Sequence, residues 1–181
     1  EFRTWLSSHH ATESECFVVV KKGRPQDISG ILYYLDAVEE ALCFGWIDST
    51  FRMVAGVGQV QRFTPRGPKS HWSELNRERC RRLERLGLMT DAGRAVLPGD
   101  EFRIDDDVLE AMQKDDEVWK NFCAFPPLYQ RIRIGNIQRD RMINRERFER
   151  GLQKLIDTAR DGKMYGEWTD YGRLLEKSVN L

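Results

Sequence analysis

The chain has 181 residues, of which 40% are hydrophobic and 32% are charged, a composition typical of a folded globular protein rather than a disordered one. Lysine plus arginine equals aspartate plus glutamate at 29 each, so no bulk charge attracts the chain to nucleic acid or to a membrane. No apolar run reaches the roughly 18 residues of a membrane span. Four separate cysteines and three histidines supply no zinc ligand set, so we expect reduced thiols, no metal and no cofactor.

The first elements in chain order are a short helix, a strand and a second helix. Apolar residues at helical spacing predict a helix that ends near His9 and His10. The β-branched run at residues 16–22 predicts a strand. Asp36 has the position of an N-cap for a helix that runs to Cys43, and Gly45 has the position of the glycine that ends it.

A hairpin and two helices complete the first half of the chain. Alternating residues at 47–54 and 58–63 predict two strands around a turn at 55–58. Ser70 or Ser73 is the expected cap of a helix over 74–86, and Thr90 is the expected cap of a shorter helix that ends at Ala95. Pro98 and Gly99 indicate a linker.

Strand signals are absent after this linker. Helices are predicted at residues 105–114, 116–124 and 145–160, with a break at Pro126 and Pro127. The sequence therefore predicts an α+β protein, with a small mixed α/β amino-terminal domain at residues 1–99 and an all-helical extension at residues 100–181.

The loop at residues 62–72 contains three cations and no carboxylate. Arg62 and Arg66 can each hold a carboxylate or phosphate through two parallel donors, and Lys69 adds a point charge. The loop enters the start of a helix at Ser73 and Asn76, where unpaired N–H groups also favour an anion. The loop thus predicts an anion site, although Arg62 could instead pair with Asp48 while Ser73 serves only as a cap.

Five nearby residues could serve such a site. Trp46 and Trp72 could form the walls of a pocket or belong to the core. Asp48 could orient an arginine or act as a base. Cys43 could be a nucleophile if neighbouring cations ionise its thiol, or it could fill the core at the end of its helix. His71 could supply an acid, but the sequence identifies no partner for it.

Two charged segments occupy the second half. Residues 100–117 are rich in acids and could bind a cationic peptide, whereas residues 131–150 are rich in arginine. The arginines are distributed around a predicted helix with few aromatic residues between them, which disfavours nucleic-acid binding. Alternatively, the two segments are solvated helix faces or face each other.

Two long motifs resemble the YdeI/OmpD-associated family, also called bacteriocin-protection proteins. The motifs read AVEEALCFGWIDS at 37–49 and QRFTPRGPKSHWSELNRERCRRLERLGLMTDAG at 61–93. The resemblance implies an α+β amino-terminal domain, a helical extension, no established catalytic activity, and a loose link to antimicrobial-peptide resistance. It also implies a periplasmic home, with an envelope protein as one conceivable partner. The tail at 126–151 departs from the family pattern.

The favoured function is a non-catalytic binding domain for a small anionic group. The site residues expected to bind the ligand are Trp46, Asp48, Arg62, Arg66, Lys69, Trp72, Ser73 and Asn76. An enzyme that uses Cys43 or His71 in the same pocket is the first alternative, and a protein that binds cationic peptides through residues 100–117 is the second. Unpaired cysteines favour a cytoplasmic location, with a periplasmic one as the alternative.

Overall fold

A computed structural model describes residues 1–99 and 101–175, and it has the expected α+β architecture. Asp100, which opens the acidic segment, lies outside the described residues. In the described part, three strands and eight α-helices follow one another, with a final 3-10 turn. They are α1 (Phe2–His9), β1 (Cys16–Val19), α2 (Tyr34–Cys43), β2 (Trp46–Val54), β3 (Gly58–Pro65), α3 (Glu74–Arg85), α4 (Asp91–Ala95), α5 (Asp106–Gln113), α6 (Asp116–Ala124), α7 (Pro127–Ile143), α8 (Arg145–Arg160) and the turn Arg173–Leu175.

The three strands form one antiparallel sheet in the order β1-β3-β2. Strand β3 pairs Phe63 with Cys16 of β1 and with Asp48 of β2. The β2–β3 register shifts between Asp48 and Phe51, as it does at a β-bulge. Because Pro65 pairs with Trp46, the loop after β3 begins next to the end of α2.

By residue contacts the chain divides into two compact units. The first comprises residues 1–72, 76–98 and 170–181, and the second comprises residues 73–75 and 99–169. Only residues 170–175 of the last segment are described. The sequence predicts that they belong to the helical extension, whereas their contacts group them with the first unit.

The first unit has its own apolar core. Helix α2 makes the largest contribution to it, with five of the buried members, Ala37, Val38, Ala41, Leu42 and Cys43. The buried members include Leu6, Val38, Leu42, Trp46, Phe63 and Leu83. Gly45 has a φ of 74° and follows the C-cap Phe44, so it ends α2 as the sequence predicts.

The second unit is helical and has a separate core. Its buried side chains come from α5, α6, α7 and α8, and they include Val108, Met112, Phe122, Tyr129, Ile134 and Leu155. None of the helices in the described part of either unit has both the length and the apolar character needed to cross a membrane.

One local prediction is wrong. Helix α2 begins at Tyr34 with Tyr33 as its N-cap, so Asp36 lies within the first turn, where its carboxylate accepts a hydrogen bond from Arg173 at 2.7 Å. The predicted break at Pro126 and Pro127 is confirmed, since α6 ends at Ala124 and Pro126 is the N-cap of α7. Pro127 starts α7, because a proline in the first turn removes an N–H that has no partner within the helix.

Candidate functional site

Of the three cations in the loop at residues 62–72, Arg66 is the one that the structure buries. It follows β3, and its backbone N–H donates to the carbonyl oxygen of Gly45 at 2.9 Å, which fixes the start of the loop against the end of α2. The guanidinium carbon lies 3.6 Å from the centroid of the Trp72 ring. Nη1 donates to the carbonyl oxygen of His71 at 3.0 Å. The residue is only 6% exposed.

The buried Arg66 guanidinium lacks an ion-pair partner among the described residues. Its Nε and Nη2 atoms have no hydrogen-bond acceptor there, although both are inaccessible to solvent. Burial lowers the pKa of Arg66, and the Cys80 thiol, once ionised, and the Asp48 carboxylate oppose that effect. Buried hydrogen-bond donors in proteins normally have an acceptor. The Nε and Nη2 atoms of Arg66 are therefore available to donate to an acceptor from a ligand.

The other two cations of the loop differ from Arg66. Arg62 is about one-third exposed, and its Nε donates to the carboxylate of Glu15. Its Nη1 lies 3.5 Å from Ser49 Oγ. The pairing with Asp48 that the sequence allows is therefore replaced by one with Glu15. Lys69 is exposed to solvent.

Trp46 and Asp48, both on β2, contact the interior of the first unit. Trp46 is 1% exposed and its indole N–H donates to the carbonyl oxygen of His10 at 3.1 Å, so it is a core residue and not a pocket wall. Asp48 accepts a hydrogen bond of 2.7 Å from the hydroxyl of Tyr34. Asp48 influences the pKa of Arg66 by its charge, whereas Arg62 and Arg66 donate their hydrogen bonds to other groups.

The two expected helix-start residues fall in different units. Ser73 belongs to the second unit. Asn76 belongs to the first unit, where its Oδ1 accepts a hydrogen bond of 2.7 Å from Arg79 Nη1. An anion site built from the whole loop and the helix start therefore stays a prediction, with Arg66 as the buried cation of the loop.

The geometry disfavours the two catalytic candidates. Cys43 is fully buried, and burial raises the pKa of its thiol even though Arg3 opposes the shift. A neutral buried thiol is a poor nucleophile. The backbone carbonyl oxygen of His71 accepts a hydrogen bond from Arg66, and His71 is exposed to solvent. Within the described ranges, no group of three metal-ligating side chains is placed to hold a metal ion.

Sequence reasoning missed a network of charged residues on α2 and α3. Arg79 donates two hydrogen bonds, of 2.7 and 2.8 Å, to the carboxylate of Asp170. Glu39 accepts from Arg82 at 3.2 Å and from Arg173 at 2.8 Å. Burial raises the pKa of Glu39, and the two arginines oppose the shift. A local pattern could not reveal these pairs because Asp170 and Arg173 are distant in sequence.

The two charged segments of the second unit neutralise each other in part. Arg141 lies 2.8 Å from Asp107 and 3.5 Å from Asp105. Arg160 of α8 lies 3.1 Å from Asp115. Arg141 thus faces acids of residues 100–117, whereas Arg145 and Arg150 pair with Glu149 and Glu146 of their own helix.

One family model matches the chain, over residues 1–96, and it is described as a domain of unknown function, DUF8412. The match covers more than half of the 181 residues. The chain belongs to the DUF8412 family. The DUF8412 region includes Arg66, Trp72 and Arg79, whereas Asp170 and Arg173 lie beyond it.

Comparison with curated proteins and with solved structures gives no match. The DUF8412 description names no activity or ligand, so function has to be argued from the geometry. The resemblance to the YdeI/OmpD-associated family stays a prediction from the two motifs.

Proposed function

We propose that the DUF8412 region of this chain is a non-catalytic domain that binds a small anion beside Arg66. The observation that carries the proposal is the buried, unpaired Arg66 guanidinium with two nitrogen atoms that lack acceptors. In native proteins such groups are rare, because an unsatisfied buried donor costs about 1–3 kcal/mol. A small anion that accepts from Nε and Nη2 would remove that cost.

Trp72 is the side chain through which an anion would reach these atoms. It lies in the loop after β3, is partly exposed, and covers the Arg66 guanidinium. Movement of this side chain would open the guanidinium without disturbing the sheet. An anion bound at Arg66 would change the surroundings of the Trp72 ring. The fluorescence of Trp72 should therefore change on binding.

Charge limits the ligand class. The carboxylate whose charge acts on Arg66 is that of Asp48, which accepts a hydrogen bond from Tyr34. A singly charged acceptor such as a carboxylate, or a small oxyanion, would therefore be attracted by one cation and repelled by one acid. The YdeI/OmpD-associated resemblance suggests resistance to antimicrobial peptides or other stress as the setting for such binding.

Titration with acetate, sulfate and phosphate, followed by tryptophan fluorescence and calorimetry, tests the proposal. We expect a saturable response in the wild-type chain that Arg66→Met removes and that Trp72→Phe removes from the fluorescence signal only. Arg52→Met is a matched control, because Arg52 is an exposed arginine of β2. The proposal fails if no anion gives heat or a fluorescence change, or if Arg66→Met responds as the wild type does.

A further inference from the structure

Arg79 has a carboxylate partner from the far end of the described chain. Its Nε and Nη2 donate to the two oxygens of Asp170, and its Nη1 donates to Asn76, so all three nitrogens of the guanidinium are held. The two side chains are 11% and 6% exposed. Burial lowers the pKa of Arg79, and the hydrogen bonds and charge of Asp170 more than offset it, so the pKa is raised.

The segment that delivers Asp170, residues 170–175, is here called the strap. Asp170 and Tyr171 have φ values of 50° and 59°, and Gly172 has a φ of 99°. Two consecutive residues with a Cβ in the left-handed region are unfavourable for the backbone. Such conformations persist only where the surroundings enforce them, and they occur often at binding and switch sites.

The strap is anchored at a second point. Arg173 donates to Asp36 at 2.7 Å and to Glu39 at 2.8 Å, both on α2. Leu174 is buried. The strap therefore combines a strained backbone with two polar attachments, Asp170 to Arg79 of α3 and Arg173 to α2.

Arg79 lies within the DUF8412 match, which ends at residue 96, whereas the strap lies outside it. The matched region thus contains a guanidinium already oriented by Asn76 but not the acid that fills it. The Nε and Nη2 donors of a guanidinium lie in one plane and match the two oxygens of a carboxylate. The two hydrogen bonds from Arg79 to Asp170 have this arrangement. A doubly charged phosphate is less suitable, because the charge of Glu39 also acts on Arg79.

We infer that Arg79 and Asn76 form a carboxylate-binding site that the strap occupies as an internal competitor. The ligand is a carboxylate from another molecule, either a small organic acid or an acidic side chain of a peptide. Asp170 is tethered to the same chain and competes with the ligand at an effective concentration in the millimolar range. The apparent affinity for the ligand is therefore lowered until the strap is displaced. This inference does not depend on the anion site at Arg66.

The test uses the full chain with Asp170→Gly. Glycine adopts a positive φ without strain, so this substitution removes the carboxylate and retains the backbone path. Tyr171→Gly is the matched control, because it relieves the same kind of strain and leaves the carboxylate in place. The probes are succinate and the amide of N-acetylaspartate, measured by calorimetry, with far-ultraviolet circular dichroism as the check of folding.

We expect Asp170→Gly to bind at least one probe about tenfold more tightly than the wild type, and Tyr171→Gly to change affinity much less. Adding Arg79→Met to Asp170→Gly should abolish the gain. Tighter binding of the N-acetylaspartate amide would identify a peptide side chain as the source, and equal or tighter binding of succinate would identify a small acid.

Three results would overturn the inference. The first is equal affinity of Asp170→Gly and the wild type for both probes. The second is a gain that persists when Arg79→Met is added. The third is loss of the circular dichroism spectrum in Asp170→Gly while Tyr171→Gly folds, because a strap that can be displaced cannot be essential for folding.

Discussion

The guanidinium carbon of Arg66 lies 3.6 Å from the centroid of the Trp72 ring, while two of the guanidinium nitrogens have no acceptor among the described residues. The stacking stabilises the cation by roughly 0.5–2 kcal/mol. Each unsatisfied buried donor lowers the stability of the folded state by about 1–3 kcal/mol. Transfer of the charge from water into the protein costs several kcal/mol more. On balance, Arg66 therefore destabilises the folded state.

Arg66→Met is expected to increase the free energy of unfolding by about 1 kcal/mol, because methionine fills a similar volume without a buried charge. Urea unfolding at pH 7 measures the change. Arg52→Met, at an exposed position, should stay within about 0.5 kcal/mol of the wild type. A loss of stability in Arg66→Met would show that the contacts with Trp72 and His71 outweigh the charge.

Tyr34→Phe is expected to destabilise the chain by about 2 kcal/mol, because it deletes the 2.7 Å hydrogen bond to the charged Asp48. Urea unfolding of this variant and of Tyr171→Phe makes the comparison. Tyr171 is 43% exposed, so its loss of a hydroxyl should have little effect. Equal stabilities for the two variants would mean that water replaces the Tyr34 hydroxyl at Asp48.

The four thiols should react with iodoacetamide in an order set by burial. Cys123 is exposed, Cys16 is partly buried, and Cys43 and Cys80 are buried. Burial raises the pKa of Cys16 to about 11 and that of Cys80 to about 12. Mass spectrometry after alkylation at pH 7.5 should find Cys123 modified first and Cys43 and Cys80 last. Early modification of Cys43 would revive the enzymatic alternative.

The same thiols predict a loss of stability at alkaline pH. A thiol with a folded pKa above its ordinary value of 9.0 keeps its proton longer in the folded state, so unfolding releases protons between those two values. Stability should be constant with respect to these thiols below about pH 8 and fall from about pH 9 to pH 12. Cys80→Ala should reduce the slope of that decline in urea unfolding. An unchanged slope would assign the decline to other groups.

Gly93→Ala should destabilise the chain by about 1–3 kcal/mol, the usual cost of overpacking. An added Cβ would lie 2.3 Å from the carbonyl oxygen of Cys43, which also accepts a hydrogen bond of 2.6 Å from Thr90 Oγ1. Gly67→Ala is the matched control, since its Cβ would meet only Ser70 Oγ at 3.7 Å. Thermal unfolding of both variants gives the comparison. A smaller effect at Gly93 than at Gly67 would contradict the close approach of α4 to α2.

Local features were predictable because their causes lie within a few residues. The β2–β3 hairpin follows from alternation around a turn, and Thr90 caps α4 by accepting from the backbone N–H of Gly93. Strand β1 ends at Val19, earlier than expected; the Val20 N–H still donates to the carbonyl oxygen of Gln59 on β3, and Lys21 then forms a bridge with Tyr33.

The charge partners were not predictable from local composition. Glu15 is 47 positions from Arg62, and Asp170 is 91 positions from Arg79. Of the three loop cations, Arg62 looks uncompensated in the sequence only because its acid, Glu15, is supplied by tertiary folding. Arg66 could be singled out by structure alone, since burial rather than sequence distinguishes it from Arg62 and Lys69.

The path of the chain between the two units has a practical consequence. The chain crosses from one unit to the other at 72/73, 75/76, 98/99 and 169/170. A protease nick near Gly99 would therefore not release two independent domains. Each fragment would contribute to both units, Glu74 through its 2.9 Å pair with Arg131 and Asp170 through Arg79. We expect the nicked halves to co-elute, and separately expressed halves to complement each other when mixed.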